Sequence, residues 1–538
     1  MKARIEDRIV YSPHPHIDIP LCSFYALAKE KLLINPNKMA LVSDLLSLTR
    51  AEVLAGMQRY AIGFRQNGML PGDNVCIHLN NSVENLIAIY GCILAGATVF
   101  LASSLLTENE LRYEAEDCDC RHVVTDEPNA LKVSSAVARL NVKGRFCVGQ
   151  AAGFVSTSEF LKIDEREFRE CPVTDPKETV LAVCYTSGST GLPKGAEVTH
   201  YSYVACFYTT RIHVPWGEPD ILLGLNPITH QAGMLYSMIA VLDGATCAVV
   251  PTNLTPLEIM DAVDKYKVTA AQMFPGRLQA LVREMRRTGR TLPSMRGIAA
   301  GGSVLSTQAA EQARKAFGGL ELLVHVYGMT ESCCCVTSQP KNKELSVTAD
   351  VGFPDTNVAV KVVDVLTREK LGPRQTGEVC YRADSMMRGY YKRPKETADL
   401  IDEDGWCKSG DAGYYDEDGR FYIVDRLKQM IKCLDNPVVP AELEEHLLRE
   451  YASDIAEVSI VGLPHCHYGE APAAAVVLTD EGRRKDSEEL AENIKATVAS
   501  SHALHKQLYG GVFFMDSLPK TDTGKVSRPN LVRCLVRA

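Results

Sequence analysis

The chain has 538 residues, of which 46% are hydrophobic and 23% are charged, and its formal net charge is −9. This length allows several domain-sized units with a large core, and the composition is that of an ordinary globular protein. The acidic balance, together with a sequence that carries no Lys/Arg block, argues against a nucleic acid as the main partner.

Eighteen cysteines are scattered along the chain, which does not begin like a secretory signal peptide. We therefore expect reduced thiols and a cytoplasmic location rather than a disulfide framework. The cysteines at 118 and 120 and the run 333–335 lack the paired Cys-x-x-Cys spacing of a zinc site. A peroxisomal location is the alternative, although the terminal Leu-Val-Arg-Ala does not match the Ser-Lys-Leu address.

Helical and strand patterns alternate through the first 420 residues, which predicts an α/β fold of stacked layers with parallel sheets. Examples are the amphipathic segment 49–66, the strand 74–78, the helix 256–267 and the strand 270–274. From about 351 to 424, short β runs alternate with Gly- and Asp-rich turns and predict a smaller strand-rich subdomain. A compact piece with helices and strands follows and ends in a short helix.

The uncharged segment 85–106 is long enough to cross a bilayer. Gly91 and Gly96 interrupt it, and a turn followed by a strand is the better description of residues 96–101. We predict a buried helix that leads into a buried parallel strand, and no integral membrane span.

The run 186–195 is the densest motif of the chain, and an apolar, β-branched stretch (179–185) predicts a buried strand directly before it. Its glycines let backbone N–H groups approach an anion closely, while its hydroxyls and Lys194 add donors and a positive charge. A Walker loop differs, since there the lysine is followed by Ser or Thr and a helix. A surface turn is the alternative to a polyphosphate loop. The loop residues are Thr186, Ser187, Gly188, Ser189, Thr190, Gly191 and Lys194.

Four further motifs follow this loop in chain order. They are Asn-Pro-Ile-Thr-His at 226–230, His-Val-Tyr-Gly-Met-Thr-Glu at 325–331, Gly-Trp-Cys-Lys-Ser-Gly-Asp at 405–411 with Asp-Arg-Leu-Lys at 425–428, and a segment containing Lys525. Together with the loop, they resemble the adenylate-forming (AMP-binding) superfamily of acyl-CoA synthetases, 4-coumarate–CoA ligases and beetle luciferases. The resemblance covers nearly the whole chain.

This resemblance implies a large N-terminal domain over 1–425, with subdomains at about 1–185, 186–350 and 351–425. Residues 426–428 would form the hinge, and 429–538 a small, mobile α+β domain that rotates between two half-reactions.

The resemblance also implies a nucleotide site. The loop would hold the β- and γ-phosphates of ATP, Thr330 would donate to the α-phosphate, and Glu331 would bind Mg²⁺. Tyr327 would stack on adenine, and Asp411 would accept the ribose hydroxyls with help from Arg426. The implied nucleotide-binding residues outside the loop are Gly301, Gly302, Ser303, Tyr327, Gly328, Asp411 and Arg426.

The resemblance implies that catalysis depends on charged groups positioned at the reacting phosphate. Lys525 would reach the reacting carboxylate and phosphate, beside Thr330 and Glu331. His230 would lie between the acyl pocket and the thiol entrance, although a packed core histidine is the alternative.

The segment after the hinge departs from the family pattern. Relatives read Lys-Tyr-Lys-Gly there, and this chain reads Lys432, Cys433, Leu434 and Asp435, with Pro437 in place of a glutamine. Lys432 persists, but an aspartate at the glycine position adds bulk and charge where the family's pantetheine tunnel lies, and a proline removes a backbone donor. Thioester formation is therefore the half-reaction that this segment puts in question.

The implied acyl pocket is mostly apolar and offers no obvious cation for a second carboxylate, which favours a fatty or aryl monocarboxylic acid. Cys206 stands where luciferases carry an arginine, which argues against luciferin. The implied pocket residues are His230, Val326, Cys333, Cys334 and Cys335.

The leading hypothesis is an AMP-forming acid–CoA ligase that uses ATP, Mg²⁺ and CoA, with small-molecule substrates and no obligate protein partner. Two alternatives stay open. One is an adenylate-forming enzyme with another acceptor, such as a carrier protein or, in a luciferase-like branch, oxygen. The other is a non-catalytic protein that binds AMP or an acyl-adenylate.

Overall fold

The computed structural model describes residues 1–186, 193–333, 335–341, 349–434, 436–465, 467–521 and 525–537. Several predicted site residues lie outside these ranges: Ser187, Gly188, Ser189, Thr190, Gly191, Cys334 and Asp435.

The elements alternate between helix and strand in much of the chain. Up to residue 186 they are β1 (Arg4–Glu6), β2 (Ile9–Tyr11), α1 (Phe24–Leu32), β3 (Met39–Val42), β4 (Ser47–Thr49), α2 (Arg50–Gln66), β5 (Asn74–His78), α3 (Val83–Leu94), β6 (Thr98–Leu101), α4 (Glu108–Asp117), β7 (His122–Asp126), α5 (Ala130–Ala136), β8 (Gly144–Val148), β9 (Val155–Ser156) and β10 (Val180–Thr186). From 193 to 358 they are β11 (Lys194–Thr199), α6 (His200–Thr209), β12 (Ile221–Gly224), α7 (Gln231–Leu242), β13 (Thr246–Val249), α8 (Pro256–Tyr266), β14 (Ala270–Met273), α9 (Pro275–Thr288), β15 (Gly297–Gly301), α10 (Thr307–Phe317), β16 (Leu322–Gly328), β17 (Cys335–Ser338) and β18 (Phe353–Pro354). The remainder are β19 (Ala359–Val363), β20 (Gly377–Arg382), α11 (Pro394–Leu400), β21 (Cys407–Tyr415), β22 (Phe421–Arg426), β23 (Ile431–Cys433), β24 (Asn436–Val438), α12 (Pro440–Glu450), β25 (Ile455–His465), β26 (Gly469–Leu478), α13 (Ser487–Ser501), β27 (Gly511–Phe514) and α14 (Arg528–Arg537).

The strands of the described residues form four sheets. The first sheet has the order β11-β10-β6-β5-β7-β8-β9, and the central sheet has the order β18-β17-β16-β15-β14-β12-β13-β3-β4. Both are parallel in their middle and antiparallel at one or both ends. An antiparallel sheet follows the order β1-β2-β19-β20-β21-β22, and a C-terminal sheet contains β23 to β27. The predicted α/β class is confirmed.

Local sequence patterns predict the early elements well. Helix α2 begins after Thr49, whose side chain accepts from the backbone N–H of Glu52 while Glu52 reaches back, forming a capping box. Strand β5 has its predicted bounds. Helix α8 ends one residue early, because Lys267 takes a left-handed conformation with φ of +54°.

The uncharged segment 85–106 contains most of α3 and all of β6, as predicted. Gly96 lies between them with φ of +92°, a turn conformation that favours glycine. In the described part of the chain, the helices are all too short or too polar to cross a membrane. The segment is apolar because α3 is buried along almost its whole length in the core.

Sheet membership crosses the predicted subdomain limits. Strand β2 pairs with β19 in the antiparallel sheet, and β3 pairs with β13 in the central sheet. Such pairings join residues hundreds of positions apart, so a local pattern carries no signal for them.

Candidate active site

The two ends of the predicted phosphate loop meet as strand partners. Thr186 ends β10, Lys194 begins β11, and these two residues face each other in an antiparallel register. The backbone beyond Lys194 is fixed from the other side, since the carbonyl of Gly195 accepts from the N–H of Tyr391 at 2.8 Å. These hydrogen bonds fix the backbone of Thr186 and Lys194 relative to each other and to Tyr391.

Tyr390 connects the loop lysine to the predicted metal ligand. Its hydroxyl donates to Glu331 Oε1 at 2.5 Å, and Lys194 Nζ lies 5.3 Å from the centroid of its ring. Burial, with the nearby Glu331 carboxylate, raises the pKa of Tyr390, so its hydroxyl stays a donor. Glu331 is itself buried, and its carbonyl accepts from the N–H of Met387 at 2.9 Å.

Tyr327 and Asp411 are buried and joined by a hydrogen bond, and the more exposed Arg426 forms an ion pair with Asp411. The Tyr327 hydroxyl donates to Asp411 Oδ2 at 2.7 Å, and Arg426 Nε lies 3.0 Å from Asp411 Oδ1. The pair forms because Asp411 and Arg426 face each other across β21 and β22. Burial raises the pKa of Asp411, and Arg426 opposes that shift. A carboxylate has about four lone-pair positions, so both oxygens retain capacity to accept ribose hydroxyls.

The carboxyl ends of parallel strands β15 and β16 form the wall beside this group. Gly301 pairs with Val326, and a Cβ at Gly301 would lie 2.5 Å from a methyl carbon of Val326. Gly302 follows with φ of +89°, and a Cβ there would lie 2.7 Å from the ring of Phe274. Ser303 is exposed. Only glycine allows the approach made at residue 302.

Lys525 lies at this wall although it comes from the far end of the chain. Its Nζ is 5.7 Å from the centroid of the Phe274 ring, and its Cε would be 3.3 Å from a Cβ on Gly302. The His230 ring also contacts Phe274, standing edge-on to it with the ring centroids 6.1 Å apart. The structure thus brings Lys525, Phe274 and His230 together at the carboxyl ends of the parallel strands in the central sheet. Ligands bind at this end of the sheet in α/β proteins.

His230 and Thr330 are held by neighbouring turns. His230 is the N-cap of α7, and its Nδ1 accepts from the N–H of Ala232 at 3.1 Å. Thr330 and the preceding Gly328 are half-buried, and the Thr330 carbonyl accepts from Gln231 Nε2 at 3.2 Å. His230 therefore has a defined orientation at the site rather than a position inside the core.

The predicted acyl-pocket residues Val326, Cys333 and Cys335 are all buried. The carbonyl of Cys333 accepts from the thiol of Cys206 at 3.5 Å, and Cys335 Sγ lies 3.4 Å from the Tyr236 hydroxyl. The wall behind the site thus contains thiols and one phenol.

Charged pairs connect the C-terminal residues to the rest. Arg528 lies 3.3 Å from Asp425, at the predicted hinge. Glu457 on β25 contacts Arg283 of α9 at 3.3 Å and Lys520 at 2.7 Å. The backbone N–H of Thr521 donates to the carbonyl of Lys525 at 2.7 Å.

Lys432 is not brought to the site. It is exposed on β23, and its backbone N–H donates to Glu470 at 2.7 Å. Leu434 follows with φ of +52°, so the left-handed position of this turn is occupied by a leucine. The two predicted C-terminal lysines thus occupy different environments in this structure.

Sequence reasoning missed Phe274 and Tyr390. Phe274 directly follows β14 and precedes Pro275, the first residue of α9, so its place at the carboxyl end of a parallel strand was a usable signal. Tyr390 carries no such signal, because its contact with Glu331 depends on a long-range pairing of residues 388–391 with β11.

Comparison with known proteins identifies the family. The chain matches the AMP-binding enzyme family over residues 29–391 and the AMP-binding enzyme C-terminal domain over residues 442–525. It is 30% identical to 4-coumarate–CoA ligase 3 of Oryza sativa subsp. japonica, over 90% of this chain and 87% of the relative. It is also 30% identical to 4-coumarate–CoA ligase 2 of Petroselinum crispum, over 98% of this chain and 96% of the relative.

A solved structure gives the same fold. An anthranilate–CoA ligase in complex with anthranoyl-AMP matches with a TM-score of 0.87 at 20% identity, over 97% of this chain and 98% of that one. The motif set, the fold and the family match agree. The chain therefore belongs to the AMP-binding enzyme family, among the AMP-forming acid–CoA ligases.

Proposed function

We propose that this protein activates a fatty or aryl monocarboxylic acid with ATP and transfers the acyl group to CoA. In the first step, a carboxylate oxygen attacks the α-phosphorus of ATP, the bond to the bridging oxygen breaks, and pyrophosphate leaves. In the second step, the CoA thiol loses its proton and attacks the acyl carbonyl, and AMP leaves. The observation that carries the proposal is the position of Lys525 beside Gly302 and Phe274.

Lys525 would act in the first step. Negative charge grows on the α-phosphate oxygens and the bridging oxygen, and a fixed cation aimed there lowers the barrier. The Lys525 ammonium and the His230 ring both lie beside Phe274, where the acid and the α-phosphate would meet. Thr330 would add a neutral donor, and Lys194 would hold the outer phosphates with the loop.

Asp411 and Arg426 would fix the nucleoside, with Asp411 accepting the ribose hydroxyls. The Tyr327 ring would pack on adenine while its hydroxyl holds Asp411. Because these groups are hydrogen-bonded to each other already, they would need little reorganisation when ATP binds.

Glu331 fits Mg²⁺, which prefers oxygen ligands. Tyr390 holds one oxygen of this buried carboxylate, and the second oxygen would ligate the ion. Bound Mg²⁺ would neutralise charge on the phosphates.

The acid would lie between His230, Val326 and Cys333. This wall is largely apolar, and these residues offer no second cation, which supports a monocarboxylic substrate.

The decisive experiment is acid-dependent pyrophosphate release with a panel of acids, with and without CoA. The proposal predicts AMP and thioester production that depends on CoA. Lys495→Ala is the matched control for Lys525→Ala, because Lys495 is a surface lysine of α13 paired with Glu492. Pyrophosphate release equal in the two variants would contradict the role given to Lys525.

A second candidate is an enzyme that stops at the adenylate and passes it to another acceptor. The observation that favours it is the sequence after the hinge, where Leu434 and Asp435 replace Lys-Gly and Pro437 replaces glutamine. Pyrophosphate exchange without thioester would support this candidate. AMP binding without any turnover would instead support a non-catalytic protein.

A further inference from the structure

Three side chains with metal-ligating atoms converge behind the acyl-pocket wall. His213 follows α6, Cys335 begins β17, and Asp355 follows β18. One ligand atom from each residue lies within 4.8 Å of the other two. All three residues are buried, with relative exposures of 1%, 6% and 0%. We call them the His–Cys–Asp cluster.

The spacing of the His–Cys–Asp cluster suits a small ion. Ligand atoms around a tetrahedral zinc ion are about 3.5 Å apart, given bonds of about 2.1 Å to nitrogen and 2.3 Å to sulfur. His213 Nδ1 is 2.9 Å from Asp355 Oδ2, and the longest separation is at most 4.8 Å. Adjustments of about 1 Å would place all three atoms around one zinc ion.

Outer contacts orient two of the ligands. Ser338 Oγ donates to Asp355 Oδ1, and the Tyr236 hydroxyl contacts Cys335 Sγ at 3.4 Å. The backbone N–H of Asp355 also donates to the carbonyl of Val336 at 3.0 Å. Partners of this kind fix ligand orientation in metal sites.

Charge favours a divalent ion. A thiolate, a carboxylate and a neutral imidazole carry two negative charges, which an ion of charge +2 neutralises. Uncompensated charge in a buried site is costly, whereas a metal bound by all three groups leaves the site neutral. The mixture of sulfur, nitrogen and oxygen matches zinc, a borderline-soft ion, better than Mg²⁺ or Ca²⁺.

The N-terminal segment runs beside the residues that follow Asp355. It is held in place by the Ser12 N–H, which donates to the carbonyl of Val358 at 3.2 Å, and by contacts between Ile17 and Asn357.

We propose that His213, Cys335 and Asp355 bind one zinc ion. Cys335 loses its thiol proton to solvent as the Zn–S bond forms. The ion would join the segment after α6, strand β17 and the residue after β18. Since Cys335 is the strand partner of Gly328, the ion would brace the backbone that carries Thr330 and Glu331.

The test measures metal content, so it is independent of the proposed function. The full chain without a polyhistidine tag is incubated with Zn²⁺, desalted, and analysed by inductively coupled plasma mass spectrometry. We expect about one zinc per chain. Cys335→Ser and Asp355→Asn should lose it. Cys247→Ser is the control, because Cys247 is also buried in the central sheet but lies outside the cluster.

Cobalt gives a readout that does not depend on the variants folding. Co²⁺ bound to the wild-type chain should show a thiolate-to-cobalt charge-transfer band, and Cys247→Ser should keep it. Absence of the cobalt band from the wild type, or equal zinc content in wild type and Cys335→Ser, would overturn the proposal.

Discussion

The nucleotide side of the site and the boundary with the C-terminal residues are built differently. On the nucleotide side, Tyr327 and Asp411 are buried and joined by a short hydrogen bond. At the boundary, Arg283 and Glu457 form an exposed or half-exposed ion pair at 3.3 Å. Lys525 lies outside the named helices and strands.

This difference teaches how one fold combines a fixed site with a movable group. Buried polar groups hold one arrangement, because losing a partner leaves a buried group unsatisfied. Partly exposed ion pairs contribute about 0–1 kcal/mol and are screened by salt, so they form and break easily. Nucleotide binding should therefore depend on the first region, and the chemical steps on the second.

The largest expected effect separates the two regions directly. Lys525→Ala should lower adenylation by on the order of 100- to 1,000-fold, because it removes a cation aimed at the reacting phosphate. ATP affinity should change little, since the buried nucleotide side is untouched. Pyrophosphate release and calorimetric titration with ATP measure the two quantities. Equal loss of both would mean that Lys525 belongs to the binding region.

A substitution in the buried region should have the opposite pattern, weakening ATP binding more than the chemical step. Asp411→Asn keeps the shape but removes the charge that pairs with Arg426 and would accept the ribose hydroxyls. We expect ATP to bind roughly 10- to 100-fold more weakly, which corresponds to the free energy of one hydrogen bond to a charged group. The rate at saturating ATP should change far less. A large fall in that rate with unchanged affinity would contradict the division between the regions.

In the segment after the hinge, a double substitution should increase the rate of thioester formation rather than reduce it. Leu434→Lys together with Asp435→Gly restores the family sequence and removes a negative charge. The thioester rate should rise several-fold while acid-dependent pyrophosphate release stays constant. Measuring both with the same acid keeps adenylation as the internal control. A constant thioester rate would show that this segment does not limit the second step.

The smallest effect concerns the ion pairs at the boundary. Glu457→Gln removes the partner of both Arg283 and Lys520. Adenylation should fall by about two- to fivefold, corresponding to less than 1 kcal/mol, and high salt should reduce the wild type similarly. Glu284→Gln is the control, because Glu284 pairs with Arg287 within α9. Equal effects of the two variants would rule out a role for the boundary.

Features set by neighbouring residues were predictable from the sequence. The capping box of α2, the bounds of β5 and the buried strand before the phosphate loop depend on local spacing and composition. The motif order indicated the family. By contrast, the pairing of β2 with β19, the hydrogen bond from Tyr390 to Glu331 and the His–Cys–Asp cluster join distant residues. No spacing rule in the sequence links positions 213, 335 and 355, so the cysteine spacing did not predict a metal site at these residues.

The bare backbone at Gly302 has a practical consequence. Gly302→Ala would place a methyl group 2.7 Å from the Phe274 ring and 3.3 Å from Lys525 Cε, so the ring and the lysine stem would have to shift. A single added carbon would therefore disturb the predicted nucleotide wall and the position of the reacting cation at the same time.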